Sequence, residues 1–195
     1  MEIERLLQRF APMIMFDRHE RYYPSTLEYY LSNCRILDSQ GTEVVGLDGK
    51  DALLSGRYQT LLQDTRCQQG FRQASDLAKT PYYVRWRERP HTWVLTYMLF
   101  FPYTGYDSWY WCPGPWSPPY EDINLQTVEL VVHKHTSKLK GLSINGTPQA
   151  LTDAERFDQR VVLYSELHTH TLHTQPSWWW AQGPSLVPRF MEMLD

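Results

Sequence analysis

A mainly β chain, folded as an antiparallel β-sandwich with short N-terminal helices and long aromatic loops, is what three features of this sequence predict. Strand-like alternation runs through residues 82–87 and 127–133. An almost continuous apolar run over 93–101 has the character of a central strand covered on both faces. Asn145-Gly146 closes the run Leu139–Ile144 with the residue pair that two-residue hairpin turns favour. The chain has 195 residues and no long Gly/Ser-rich or charged linker, so 1–195 reads as one domain with a single core.

The elements follow in order. Ile3, Leu6, Leu7 and Phe10 recur at helical spacing and predict an amphipathic helix that stops before Pro12. Residues 13–16 read as a short buried strand. Ser25-Thr26-Leu27-Glu28 has capping-box spacing, with Ser25 as the cap of a helix reaching Leu31. Leu54, Tyr58, Leu61 and Leu62 suggest another helix, weakened by Gly56. After residue 80 the pattern becomes one of strands, the last over 161–167. No internal repeat is present.

The segment 103–120 is too rich in proline and glycine for a regular ladder and reads as a long loop. It carries Tyr106, Trp109, Tyr110, Trp111 and Trp116, and a second aromatic run, Trp178-Trp179-Trp180, lies near the C-terminus. Such rings either pack over one end of the sandwich or face a partner.

Two His-x-His pairs, His133/His135 and His168/His170, put imidazoles on one side of an extended chain. If the two strands were neighbours, His133, His168 and His170 with Glu121 would be candidate metal ligands and Glu166 a candidate base. The plainer reading is solvent-facing histidines on half-buried strands. Ser165 near His168 makes no hydrolase triad, because the nucleophile elbow is missing and the two would project to opposite sheet faces.

Formal net charge is −3 with both signs interspersed, which argues against a nucleic-acid binder working through a broad basic surface. The run 93–101 is about half of what a membrane-spanning helix needs, so no transmembrane segment is expected. Cys34, Cys67 and Cys112 form no framework, and the start is charged, without a secretory core. These imply reduced thiols in an intracellular, cytoplasmic protein, with Asn145-Gly146-Thr147 a turn and not a glycan site.

Phe10-Ala11-Pro12 leading to Tyr22-Tyr23-Pro24-Ser25, then the segment 93–105, then the segment 161–170 ending in His168-Thr169-His170, keep one order along most of the chain. In that order they resemble the plant and fungal family named for vacuolar protein sorting-associated protein 62. The segment 40–78 has no motif that matches. The resemblance implies a sandwich-like β fold and a link to vacuolar traffic, without a described chemistry. That family carries Gly-Asp-Trp-Glu after the long loop, which also looks like the acidic pair of necrosis-inducing secreted proteins, where it helps to hold a divalent cation. Here the positions read Ile123-Asn124-Leu125-Gln126. Both carboxylates are amides, which offer oxygen but no charge to offset a cation's desolvation. Glu121 and Asp122 just upstream fall differently in the strand alternation.

These features favour a non-enzymatic interaction or structural protein, without cofactor, that meets a protein partner or itself through aromatic residues, in trafficking or in a larger assembly. The alternatives are a metal-dependent hydrolase built on the His-x-His site, and a carbohydrate-binding module stacking sugars on Trp109, Trp111 and Trp116 or on Trp178 to Trp180.

Overall fold

The computed structural model describes residues 2–20, 23–47, 57, 59–62, 80–101, 124–167, 169–186 and 191–193. Helix α1 (Glu2–Phe10) leads to β1 (Met13–Asp17), α2 (Leu27–Asn33), β2 (Cys34–Leu37) and β3 (Gln59–Leu62). Then come β4 (Tyr82–Glu88), β5 (Thr92–Phe101), β6 (Asn124–His133), β7 (Leu139–Ile144) and β8 (Thr147–Gln149). The chain continues through β9 (Arg156–Phe157), β10 (Arg160–Ser165), β11 (Leu172–His173), β12 (Gln182–Leu186) and β13 (Met191–Met193).

Two sheets form the sandwich. The larger has the order β13-β4-β5-β6-β7-β8, and the smaller β11-β10-β1-β12 with β9 on β10. Most neighbours are antiparallel, as expected, but β1 pairs with β10 and β13 with β4 in parallel. β5 is an inner strand, held by β4 on one side and by the whole length of β6 on the other. Its inward residues Leu95, Tyr97, Leu99 and Phe101 meet Val128, Leu130 and Val132 of β6 and, from the smaller sheet, Ile14, Phe16, Val161, Leu163 and Leu186 in one core. Leu7 and Phe10 of α1 join it, which is why that helix shows an apolar stripe. The hydroxyls of Tyr97 and Tyr82 donate to the carbonyls of Leu7 (2.9 Å) and Pro12 (3.0 Å), so these core rings also tie down the chain around α1. A smaller cluster of Tyr83 and Phe100 with Leu27, Leu31 and Met98 packs α2 on the outer face of the larger sheet.

Three expectations need correction. The cap of α2 is Thr26, one residue later than expected: its Oγ1 accepts from the Tyr29 amide at 3.1 Å, while the Ser25 amide is taken by the Phe100 carbonyl at 2.8 Å. The expected helix around Leu61 and Leu62 is instead strand β3, paired with β2; Leu54 and Tyr58 lie outside the described residues. A four-residue strand with two polar and two apolar residues carries no usable period, and an available partner strand decides it. The last expected strand ends at Ser165 and not at residue 167, and this moves the histidines.

Candidate functional site

The inward row of β6 reads Asn124, Gln126, Val128, Leu130, Val132, so its first two core-facing positions are polar. Asn124 is paired with Phe101, the last residue of β5. Over that ring, at 4.2 Å and nearly parallel, lies the imidazole of His170.

His170 is not on a strand. It follows β10 in a turn where its amide donates to the Glu166 carbonyl (3.0 Å) and the Glu166 amide to the Thr171 carbonyl (2.9 Å). Its φ of 58° is left-handed, a conformation that histidine tolerates better than bulkier or branched residues. The ring is 0% exposed, and Nε2 sits 3.4 Å from the buried carboxylate of Glu20 without hydrogen-bond geometry. Neither ring nitrogen has a hydrogen-bond partner among the described residues. Leaving such groups unsatisfied costs about 1–3 kcal/mol each, so the stack on Phe101 holds the ring against an adverse term.

Beside it run three side-chain amides. Asn145 Nδ2 donates to Gln126 Oε1 (2.8 Å), Gln126 Nε2 to Asn124 Oδ1 (2.5 Å), and Asn124 Nδ2 to the Thr169 carbonyl (2.7 Å). This arrangement does not fit a divalent cation. The Asn124 oxygen accepts from Gln126 and the Gln126 oxygen from Asn145, which leaves Glu20 and His170, among the described residues, as the charged or imidazole donors at this end. Among the described residues no group of three His, Cys, Asp or Glu converges in a way that could hold a metal ion.

The expected convergence of the two His-x-His pairs is corrected too. His133 pairs with Thr92 at the far end of β6 from Asn124, nine residues or about 30 Å away at ~3.4 Å per residue. His133 and His135 face each other across the turn after β6, ring centres 5.9 Å apart, and the Thr136 amide donates to His133 Nδ1 at 3.4 Å. Glu166 accepts from Thr169 Oγ1 (2.8 Å) and lies 3.7 Å from His173. His168 and Glu121 lie outside the described residues, as do Tyr106, Trp109, Tyr110, Trp111 and Trp116. The structure therefore brings together His170, Glu20, Asn124 and Gln126, and not His170 with His133.

The second candidate is the tryptophan run. The Trp180 amide donates to the Ser177 carbonyl at 2.9 Å, so residues 177–180 make a tight turn with Trp178 and Trp179 at its two corners. Corner side chains project outward: Trp178 is 92% and Trp179 53% exposed, their rings edge to face at 5.5 Å. Trp180 turns in and packs edge-on against Tyr164 at 5.0 Å. The turn is anchored from behind by Asp17, a buried carboxylate that sequence reasoning missed. Its Oδ2 accepts from the Ala181 amide and its Oδ1 from the His19 amide, both at 2.8 Å, while the Arg18 amide donates to the Ala181 carbonyl. Gly183 makes this approach possible, since a Cβ there would sit 2.6 Å from the Phe16 carbonyl oxygen. An acidic residue ending an apolar strand, Asp17 after Met13-Ile14-Met15-Phe16, was the available signal.

No family model and no curated protein matches the chain at the level of sequence. Among the solved structures it is similar to necrosis and ethylene inducing protein 2 from the causal agent of cocoa's witches' broom disease, at 14% identity and a TM-score of 0.50 over 96% of this chain and 72% of that one. It is likewise similar to the non-toxic HaNLP3 protein, at 14% identity and a TM-score of 0.51 over 99% and 75%. These likenesses overturn the vacuolar-sorting resemblance, whose anchors are largely strand cores and turns and so report a sandwich and not a lineage. No helix among the described residues is long and apolar enough to cross a membrane. What the chain shares with the necrosis- and ethylene-inducing proteins is the fold.

Proposed function

We propose that this chain is a non-catalytic binding domain that presents Trp178 and Trp179 to a protein partner, as a component of a larger assembly. The observation that carries this reading is the exposure of both indoles at the corners of a turn that Asp17 holds in place. Soluble domains bury rings of this size unless something else covers them, and tryptophan is among the residues that dominate binding energy at interfaces. The reduced setting implied by the unframed cysteines favours a protein over a glycan as ligand. Trafficking was implied by the vacuolar-sorting resemblance and loses its support with it.

Affinity capture from native extract tests the reading. A protein retained by the wild-type chain and by Phe157→Ala, which removes another exposed ring, should be lost with the Trp178→Ala/Trp179→Ala double variant. Capture of the same proteins by the double variant would sink it. A saccharide is the second reading, favoured by the same open indole faces. It would show as glycan-array binding that disappears with the same two substitutions.

A further inference from the structure

The amide row at the start of β6 has a direction that can be read without ambiguity. At one end the Thr127 backbone N–H, which can only donate, bonds Asn145 Oδ1 at 2.8 Å. At the other the Thr169 carbonyl, which can only accept, bonds Asn124 Nδ2 at 2.7 Å. With both ends fixed by backbone groups, each of the three amides has one possible orientation: Asn145 donates to Gln126, Gln126 to Asn124, and Asn124 to the peptide that precedes His170. The row begins at the exposed Asn145-Gly146 turn of the larger sheet and ends on the β10–β11 turn of the smaller one, passing through a Gln126 that is 5% exposed.

We infer that this row is a clasp that fastens the β10–β11 turn to β6 by hydrogen bonds alone, in the place where an acidic pair would have needed a divalent cation. A carboxylate at residue 124 could not donate to the Thr169 carbonyl, and one at 126 would face the Asn124 oxygen with no proton between them. Amides at these positions are therefore required for the row, as acidic residues are for a cation. The clasp holds the peptide next to His170, keeping that residue in its left-handed conformation with its ring stacked on Phe101. This inference is independent of the tryptophan turn and of any partner.

Native-state hydrogen exchange on the full chain tests it. The Glu166 and His170 amides, both bonded within the turn, are the reporters, and the Leu130 amide in the middle of β6 is the control. Asn124→Asp should speed exchange at both reporters at least tenfold and leave Leu130 unchanged. In the unaltered chain, millimolar calcium or magnesium, or a chelator, should leave all three rates within twofold. Slower reporter exchange in the wild-type chain on adding either cation, or wild-type rates in Asn124→Asp, would overturn the clasp. The cation arm needs no substitution, so it decides the matter even if Asn124→Asp fails to fold.

Discussion

The carboxylate of Asp17 connects the core to the surface that we assign to binding. It accepts from the backbone amides of His19 and Ala181, and replacing it by alanine leaves both donors unsatisfied under the tryptophan turn. Asp17→Ala should therefore cost about 2–3 kcal/mol in a denaturant titration, at the upper end for hydrogen bonds to a charged group. An unchanged midpoint would mean that the turn is held elsewhere. Gly183→Ala should be as damaging for a steric reason, since the atoms its Cβ meets at 2.6–2.7 Å are all backbone and cannot swing aside. A stability loss under about 1 kcal/mol would show that β12 can draw back from β1. Tyr164 offers a pH test. Burial, then its hydrogen bond to Glu155 and that carboxylate's charge, push its phenol up to about 12, against about 10 in an unfolded chain. The folded state thus keeps this proton longer, so its stabilising effect is full below pH 10 and is lost as pH rises through 12. Unfolding midpoints measured from pH 9 upward should fall more steeply for the wild-type chain than for Tyr164→Phe. Parallel curves would place the phenol at its ordinary value.

At the scale of elements, β5 is the strand on which the larger sheet depends. Leu95 is fully buried between Trp86 and Leu130 in the ladder, and Leu95→Asp puts an unpaired carboxylate there at a cost of several kcal/mol, a large share of a typical stability of about 5–15. Circular dichroism should show an unfolded or aggregated chain; wild-type melting would remove β5 from the centre. This strand was legible because its apolar run is too long and too rich in branched and aromatic residues to be a loop. The β7–β8 hairpin was legible for a local reason as well: Asn145 and Gly146 both adopt positive φ, at 49° and 79°. What could not be read were matters of partnership. Nothing local in Gln59-Thr60-Leu61-Leu62 announces that Cys34–Leu37 lies alongside it, and nothing in Met13–Asp17 announces a parallel neighbour more than a hundred residues away. The polar end of the core was half legible. The amides at Asn124 and Gln126 stood out against the carboxylates of the resembled families, but their partners Asn145 and Thr169 come from two other turns. His170 was singled out for the wrong geometry, because Glu166 and Thr169 close a turn where alternation had suggested a strand.

For the whole molecule, the sandwich provides two unlike regions. At one end His170 and Glu20 are buried beside an amide row that runs from the exposed Asn145 turn to Thr169, each amide oxygen accepting one N–H. The turn after β11 instead opens two large rings to solvent, and the segment from Asp17 to Glu20 touches both regions. The central claim is that Trp178 and Trp179 serve association and not the core. The most direct measurement is the dissociation constant of the captured partner from the wild-type chain and from Trp178→Ala and Trp179→Ala, each paired with a thermal melt of the same sample. We expect association weakened by about 2 kcal/mol or more per ring, roughly thirtyfold, with melting temperatures close to wild type. Unchanged association together with a strongly lowered melting temperature would contradict the account and assign both rings to the core.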